Sequence, residues 1–395
     1  MSATRRVEPY WYAIGLVLAI AAAVFGYHLA TGFNPPRAAF SPFGLPVYWY
    51  GIWIVTGVAL GAWVVSRLAA RRAQQAFEAT VPEATRVRSL ADAGLPEEIA
   101  ALLARRKLAT LGEALFETGL DSRRLGLKRP ETERTVAALA AAPGVEPSWT
   151  TDAPWRIWNP DHVWNALILI LVLGLIGARL YHILTPSPSM AAVGIYSPAD
   201  YFRYPLQLVN FRGGGLGIYG GMAGALLAIL FYTRRARIPT LGWADLAVVG
   251  AALGQSIGRW GNFFNQELYG RPTDLPWAIY IDPIHRLPDY ADFSYFHPAF
   301  LYESLWSLLT FFILYRLARR SDRLLPGEML AVYLVAYAVG RMLLELVRLD
   351  SRAVAFLGLE TGLAVATVVS ILVAVAAGVA VAARRLRRAR GVSAG

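Results

Sequence analysis

GQSIGRWGNFFNQELYGR, Gly254–Arg271, follows directly on the apolar run Trp243–Leu253. From Arg259 onward it delivers an arginine, two asparagines, a glutamine, a glutamate and a second arginine. A charged side chain at the bilayer centre costs about 2.5–3.5 kcal/mol on insertion scales, so groups of this kind at that depth mark a task rather than filler. Read as a helix end, Arg259, Asn262 and Gln266 fall at i, i+3 and i+7 and share a face. Arg259 is permanently ionised and presents a planar fork of donors that suits a phosphodiester. Asn262 adds neutral donors, and Glu267 and Gly270 follow where the helix leaves the apolar layer. The competing reading is an Arg–Glu pair that only knits helices together.

The surrounding chain supplies that layer. Of 395 residues, 56% are hydrophobic and 16% charged, and long apolar runs recur. The expected fold is an all-α polytopic membrane protein of about eight spans. These are Tyr10–Ala30, Pro46–Leu68, Val163–Leu184, Leu216–Tyr232, Trp243–Phe264, Pro298–Leu317, Met329–Val347 and Leu357–Ala383. The net charge of +11 comes from arginine clusters after the second, fourth, sixth and eighth spans, with Arg5 and Arg6 before the first. That spacing speaks for cytoplasmic anchoring of both termini rather than for a nucleic-acid partner. Loops 185–215 and 265–297 then lie outside. The first apolar run is long enough to span and lacks a convincing cleavage site, so it reads as a retained helix. The chain has no cysteine, so any thiol chemistry takes its thiol from a substrate.

Hydropathy falls between residues 74 and 160. The expected organisation is an extra N-terminal span with its outer loop (1–45), a first core span (46–73), a soluble cytoplasmic helical insertion (74–160) and the remaining core spans (161–395). Within the insertion, LPEEIAALLARRKLATLGEALFETG has helical periodicity and Pro130 opens another helix. Its short helices resemble helix-hairpin-helix modules and, distantly, the C-terminal domain of the RNA polymerase alpha subunit. The reading adopted is a small helical bundle.

Four further motifs carry polar groups. YAVGRMLLELVR places Tyr337, Arg341, Glu345 and Arg348 on one helix face, a pattern that points to a site more than to packing. Arg348, near the exit, also reads as an interfacial snorkel. FRGGGLGIYGGMAGALL sets Gly213, Gly217, Gly221 and Gly224 at small-residue spacing for close helix contact. It also exposes N–H groups at a helix start, a place for an anion. Tyr219 lies among these glycines. FHPAFLYESLW puts His297 at a helix N-terminus, with Tyr302 and Glu303 one turn in. VYWYGIW adds Tyr48 and Tyr50, and IGARLYHIL adds Arg179. Arg179, Arg259, Arg341 and Arg348 have few acids to balance them, and the excess asks for an anionic partner such as a lipid head group.

Taken together, GRWGNFFNQELYGR, WYG, GARLYHIL, GGLGIYGG, HPAFLYE and YAVGRMLLELVR closely resemble the prolipoprotein diacylglyceryl transferase family, from about Pro46 to Ala383 with the insertion excluded. The resemblance implies a bacterial plasma-membrane enzyme with its site toward the outer half of the bilayer. Its partners would be phosphatidylglycerol and the signal peptide of an exported prolipoprotein. A cysteine sulfur would attack the glyceryl carbon of the lipid, form a thioether and release glycerol 1-phosphate. No cofactor or metal is implied. Carried over, the family's signature residues fall on Arg259, Asn262, Glu267 and Gly270. Its second arginine falls on Arg341, with Tyr337 four residues before, and its early-helix tyrosine on Tyr50. Arg259, Arg341 and Tyr219 are the expected catalytic residues. Substrate contacts are expected from Asn262, Glu267, Gly270, Tyr50, Tyr337, Glu345, Arg179, Gly220, Gly221 and His297. Many members carry histidine where this chain has Tyr219, which leaves the thiol's base open. A transporter or flippase with an arginine-lined cavity is the alternative. It would show internal repeats, and no repeat is visible at the level of motif.

Overall fold

The computed structural model describes residues 7–186, 188–208, 215–320, 324–349, 353–356 and 359–392. Arg5, Arg6, Gly213 and Leu357, named above, lie outside them. The chain is mainly helical. In order it runs α1 (Pro9–Thr31), β1 (Ala38–Phe40), β2 (Val47–Tyr48) and α2 (Trp49–Thr80). Then come α3 (Glu83–Arg86), α4 (Glu97–Arg105), α5 (Leu111–Leu120), α6 (Arg129–Ala141), α7 (Ser148–Thr151), α8 (Asp161–Leu184) and α9 (Ile218–Ala236). The last stretch is α10 (Thr240–Gly258), α11 (Trp260–Asn265), β3 (Ile279–Tyr280), β4 (Tyr295–Phe296), α12 (Ala299–Arg320), α13 (Glu328–Glu345), β5 (Ala353–Phe356), β6 (Leu359–Ala364) and α14 (Val365–Val392). Among the described residues, five helices are long and apolar enough to cross a membrane: α1, α2, α8, α12 and Thr367–Arg390 of α14. Helices α9, α10 and α13 stand at the other expected spans.

Two expectations need correction. The fold is not purely α, because β1–β2, β3–β4 and β5–β6 each form an antiparallel pair. The last helix begins at Val365, not Leu357. Glu360 and Gly362 interrupt the apolar run before it, and the segment pairs as a ladder, with Ala355 opposite Glu360 and Phe356 opposite Leu359.

The chain divides into two compact units, residues 1–65 with 241–395, and residues 66–240. In the first, GVALG of α2 and GAALG of α10 face each other. A side chain at Gly57 would meet the Gly254 carbonyl oxygen at 2.7 Å, and one at Gly61 would meet the Gly250 carbonyl oxygen at 2.5 Å. Only glycines allow two backbones this close, and in lipid such packing is what holds helices together. At the start of α13, Asp245 accepts from the backbone of Gly327 (2.7 Å) and Leu330 (2.9 Å). Glu328 in that first turn pairs with Arg385 of α14.

The second unit holds the insertion together with the α8–α9 pair. The insertion has its own core, closed on the end of α2: Phe77 meets the rings of Phe116 at 5.2 Å and Trp155 at 4.9 Å. Helix α5 starts on a capping box between Thr110 and Glu113, which satisfies otherwise orphaned N–H groups. Helices α8 and α9 meet glycine to glycine, Gly177 on Gly220 and Gly174 on Gly224.

Candidate active site

The quoted stretch folds as a bent helix end. Helix α10 stops at Gly258, Arg259 caps the short α11, and α11 stops at Asn265. Tyr50 lies against Gly261, where a side chain would meet its ring carbon at 2.7 Å. Ser304 of α12 fixes the bend. It donates to the Ser256 carbonyl (2.8 Å) and accepts from the Trp260 indole (3.2 Å).

Glu303, the residue before Ser304, is the hub of the site. Its carboxylate lies 2.5 Å from Arg259 Nε and 3.6 Å from Arg348 Nη1, and only 7% of the side chain is exposed. One carboxylate thus holds two arginines from distant parts of the chain. Removing one member of a buried ionic group costs about 3–5 kcal/mol, because the others keep their charge without its partner. In the sequence Glu303 stands one turn into its helix, with nothing nearby to assign it a role. The signal was present in HPAFLYE, but the partners come from segments far apart in sequence. Arg348 is here a paired, mostly buried side chain rather than a snorkel.

Asn262 donates to Glu267 Oε1 at 2.8 Å, Asn265 donates to the same oxygen at 3.1 Å, and Asn262 Oδ1 stands 3.5 Å from Arg259 Nη1. The signature arginine, asparagine and glutamate therefore form one hydrogen-bonded run. Gln266 departs from the expected shared face. It lies beyond the helix with φ 52°, and its side chain turns to Asp282 (2.6 Å). Gly270 has a steric reason for being glycine: a side chain there would meet the Val347 carbonyl at 2.6 Å and the His297 Cβ at 2.8 Å. Its N–H donates to the His297 carbonyl (2.9 Å), and it pairs with Arg348 across a short bridge.

On α13, Arg341 Nη2 stands 3.1 Å from Glu345 Oε2. Both carboxylate oxygens of Glu345 are buried and make no hydrogen bond among the described residues. Gly340 seats the Trp306 ring of α12, which fixes α13 next to the arginine. Tyr337 is half exposed on the same helix. His297 is joined to Tyr302 through Nδ1 (3.0 Å), and Trp277 donates to that hydroxyl at 2.8 Å. Burial pushes the imidazole's pKa below the usual histidine value.

Arg179, Tyr219, Gly220 and Gly221 belong to the other unit. Arg179 is buried and directs its guanidinium to the main-chain carbonyls of Leu208 (3.0 Å), Gly215 (2.9 Å) and Gln207. Gly220 is part of the α8–α9 contact, and Tyr219 is 68% exposed against Tyr181.

The long apolar helices mark a membrane-embedded helical protein, and the Arg259–Glu303–Arg348 cluster is its candidate site. A family model described as prolipoprotein diacylglyceryl transferase matches residues 136–383, and the chain belongs to that family. Among its relatives, a phosphatidylglycerol–prolipoprotein diacylglyceryl transferase of Chloroflexus aggregans is 42% identical over 240 residues, covering 57% of this chain and 75% of the relative. Its namesake in Trichormus variabilis is 40% identical over 197 residues, 49% of this chain and 66% of the relative.

Proposed function

We propose that the chain transfers the diacylglyceryl group of phosphatidylglycerol to the thiol of a lipobox cysteine in an exported prolipoprotein, with glycerol 1-phosphate as the leaving product. The observation that carries this reading is the mostly buried cluster in which Glu303 joins Arg259, of the signature segment, to Arg348. The sulfur bonds to the glyceryl carbon as that carbon's bond to the phosphate oxygen breaks. The bonding pair goes to the phosphate, and the thiol gives its proton to solvent. Charge gathers on the leaving phosphate, where preorganised donors act most strongly. The loss of one such donor costs about 10²–10³ in rate.

Arg259 and Arg341 meet the phosphate. Asn262, Glu267, Tyr50 and Tyr337 orient the glycerol end, and Glu345 sets the charge beside Arg341. Gly270 and His297 hold the turn that carries Glu267. A cationic field favours the thiolate of the incoming cysteine. Tyr219 contributes a hydrogen bond to substrate rather than a base. Helices α9, α10 and α13 complete eight spans. Both termini and the insertion face the cytoplasm of a bacterial inner membrane, in line with the basic clusters at alternate helix ends.

The test uses the full chain in phosphatidylglycerol vesicles with a cysteine-bearing signal peptide. Release of glycerol phosphate and a diacylglyceryl mass increment on the peptide are expected, and neither with serine in place of the cysteine. Lipid movement without release would favour a transporter.

A further inference from the structure

The signature helix ends in an unusual way. Glu267 N–H bonds the Asn262 carbonyl (3.1 Å) and Gln266 N–H bonds the Phe263 carbonyl (3.0 Å), the paired pattern of a Schellman stop. The residue at the left-handed position of such a stop is usually glycine, because a Cβ there is strained. Here it is Gln266, at φ 52° and ψ 46°. Something must hold it, and the contacts show what does. Gln266 Oε1 accepts from the Asp282 backbone (2.8 Å) and from Asn34 Nδ2 (3.1 Å), while Gln266 Nε2 donates to Asp282 Oδ2 (2.6 Å). Asn34 also reaches Asp282 Oδ1 (3.2 Å) and the Tyr280 carbonyl (3.3 Å).

Asn34 lies just past α1, ahead of the residues matched by the family model. The rest of that N-terminal segment converges on the same place. Arg37 donates to the Asn265 carbonyl (3.1 Å). His28 accepts from the Tyr280 backbone through Nε2 (3.2 Å) and is fixed by its Nδ1 to the Phe33 carbonyl (3.0 Å). Phe25 meets the rings of Trp260 and Phe263, each at 6.2 Å.

We propose that α1 and the strap behind it form a positioning element for the signature turn. Asn34 holds Gln266 in its left-handed conformation and so aims Glu267 and Asn262 at the substrate. The inference rests on the transferase reading above. Asn34 is a positioning residue, since it acts through Gln266.

The test compares the full-length wild type with Asn34→Ala, Asn34→Asp and the double variant Asn34→Ala/Gln266→Gly in the vesicle assay. Asn34→Asp keeps the shape but faces three acceptors with a fourth. Both single variants should lose kcat by roughly ten- to a hundredfold, the scale of a small misplacement, with KM for the peptide changed much less. Glycine at 266 adopts the turn unaided, so the double variant should recover a large part of that loss. Turnover of both single variants near the wild-type rate, or a loss that glycine does not relieve, overturns the proposal. A wild type that releases no glycerol phosphate sinks the transferase reading instead.

Discussion

Arg259 and Arg341 are the side chains most exposed to test, since each is sunk beside a carboxylate. Arg259→Lys should insert normally and lose transfer by about 10²–10³, because an ammonium cannot reproduce the planar fork. Initial rates in vesicles with matched protein levels decide it, and near-normal turnover would reduce the arginine to a helix-pairing role. His297 permits a prediction of sign. Its pKa is lowered by burial in the folded state, so the unfolded chain takes up its proton first as pH falls. The contribution is complete above the unfolded value of about 6.5 and is lost as pH falls through the lower, folded value. Melting temperature should therefore drop over that acid window in the wild type and less so in His297→Gln; identical profiles would refute it. Arg259, Asn262 and Glu267 were legible in the sequence because their spacing is itself the motif. Glu303 was not, since a glutamate one turn into an apolar helix gains meaning only from Arg259 and Arg348. Gln266 was misplaced for the same reason: periodicity extends a helix, whereas the stop depends on Asn34 and Asp282.

The elements were legible wherever apolar runs were long, as at α1, α2, α8 and α12. They were least legible where glycine or a carboxylate breaks a run, as Glu360 and Gly362 do before α14. GVALG and GAALG were each plain strings, but that they face each other is a tertiary fact. The crossing of α2 with α10 sets Tyr50 beside the signature helix, so it should be sensitive to side-chain volume. Gly61→Ile must push away the Gly250 carbonyl oxygen, which a Cβ at 61 would meet at 2.5 Å. Overpacking of this kind costs about 1–3 kcal/mol. Thermal unfolding in detergent should show a clear loss for Gly61→Ile and a smaller one for Gly61→Ala. Transfer should fall with it, because the shift reaches Gly261 and Tyr50. An unchanged melting temperature for the isoleucine variant would mean that the helices do not meet there.

At the scale of the whole chain, the insertion is a satellite with a separate core. Its buried residues close on Ala73 and Phe77 at the end of α2, while Tyr50 and the glycine crossing lie in the other unit. The Arg259–Glu303–Arg348 cluster and the Arg341–Glu345 pair draw on none of it. Replacing residues 78–155 with a short Gly/Ser linker should therefore leave transfer within about twofold, the range expected when a change lies away from a working site. The deletion removes Phe116 and Trp155 from Phe77. The tail of α2 should then fray, and proteolysis there should quicken even while the rate holds. Two readouts on one preparation separate the possibilities: glycerol phosphate release, and limited proteolysis of the α2 tail. Intact transfer with faster cleavage fits a satellite. Transfer lost in protein that still inserts would make the insertion a working part of the enzyme, through substrate recruitment or support of the catalytic helices, and the division drawn here would fail.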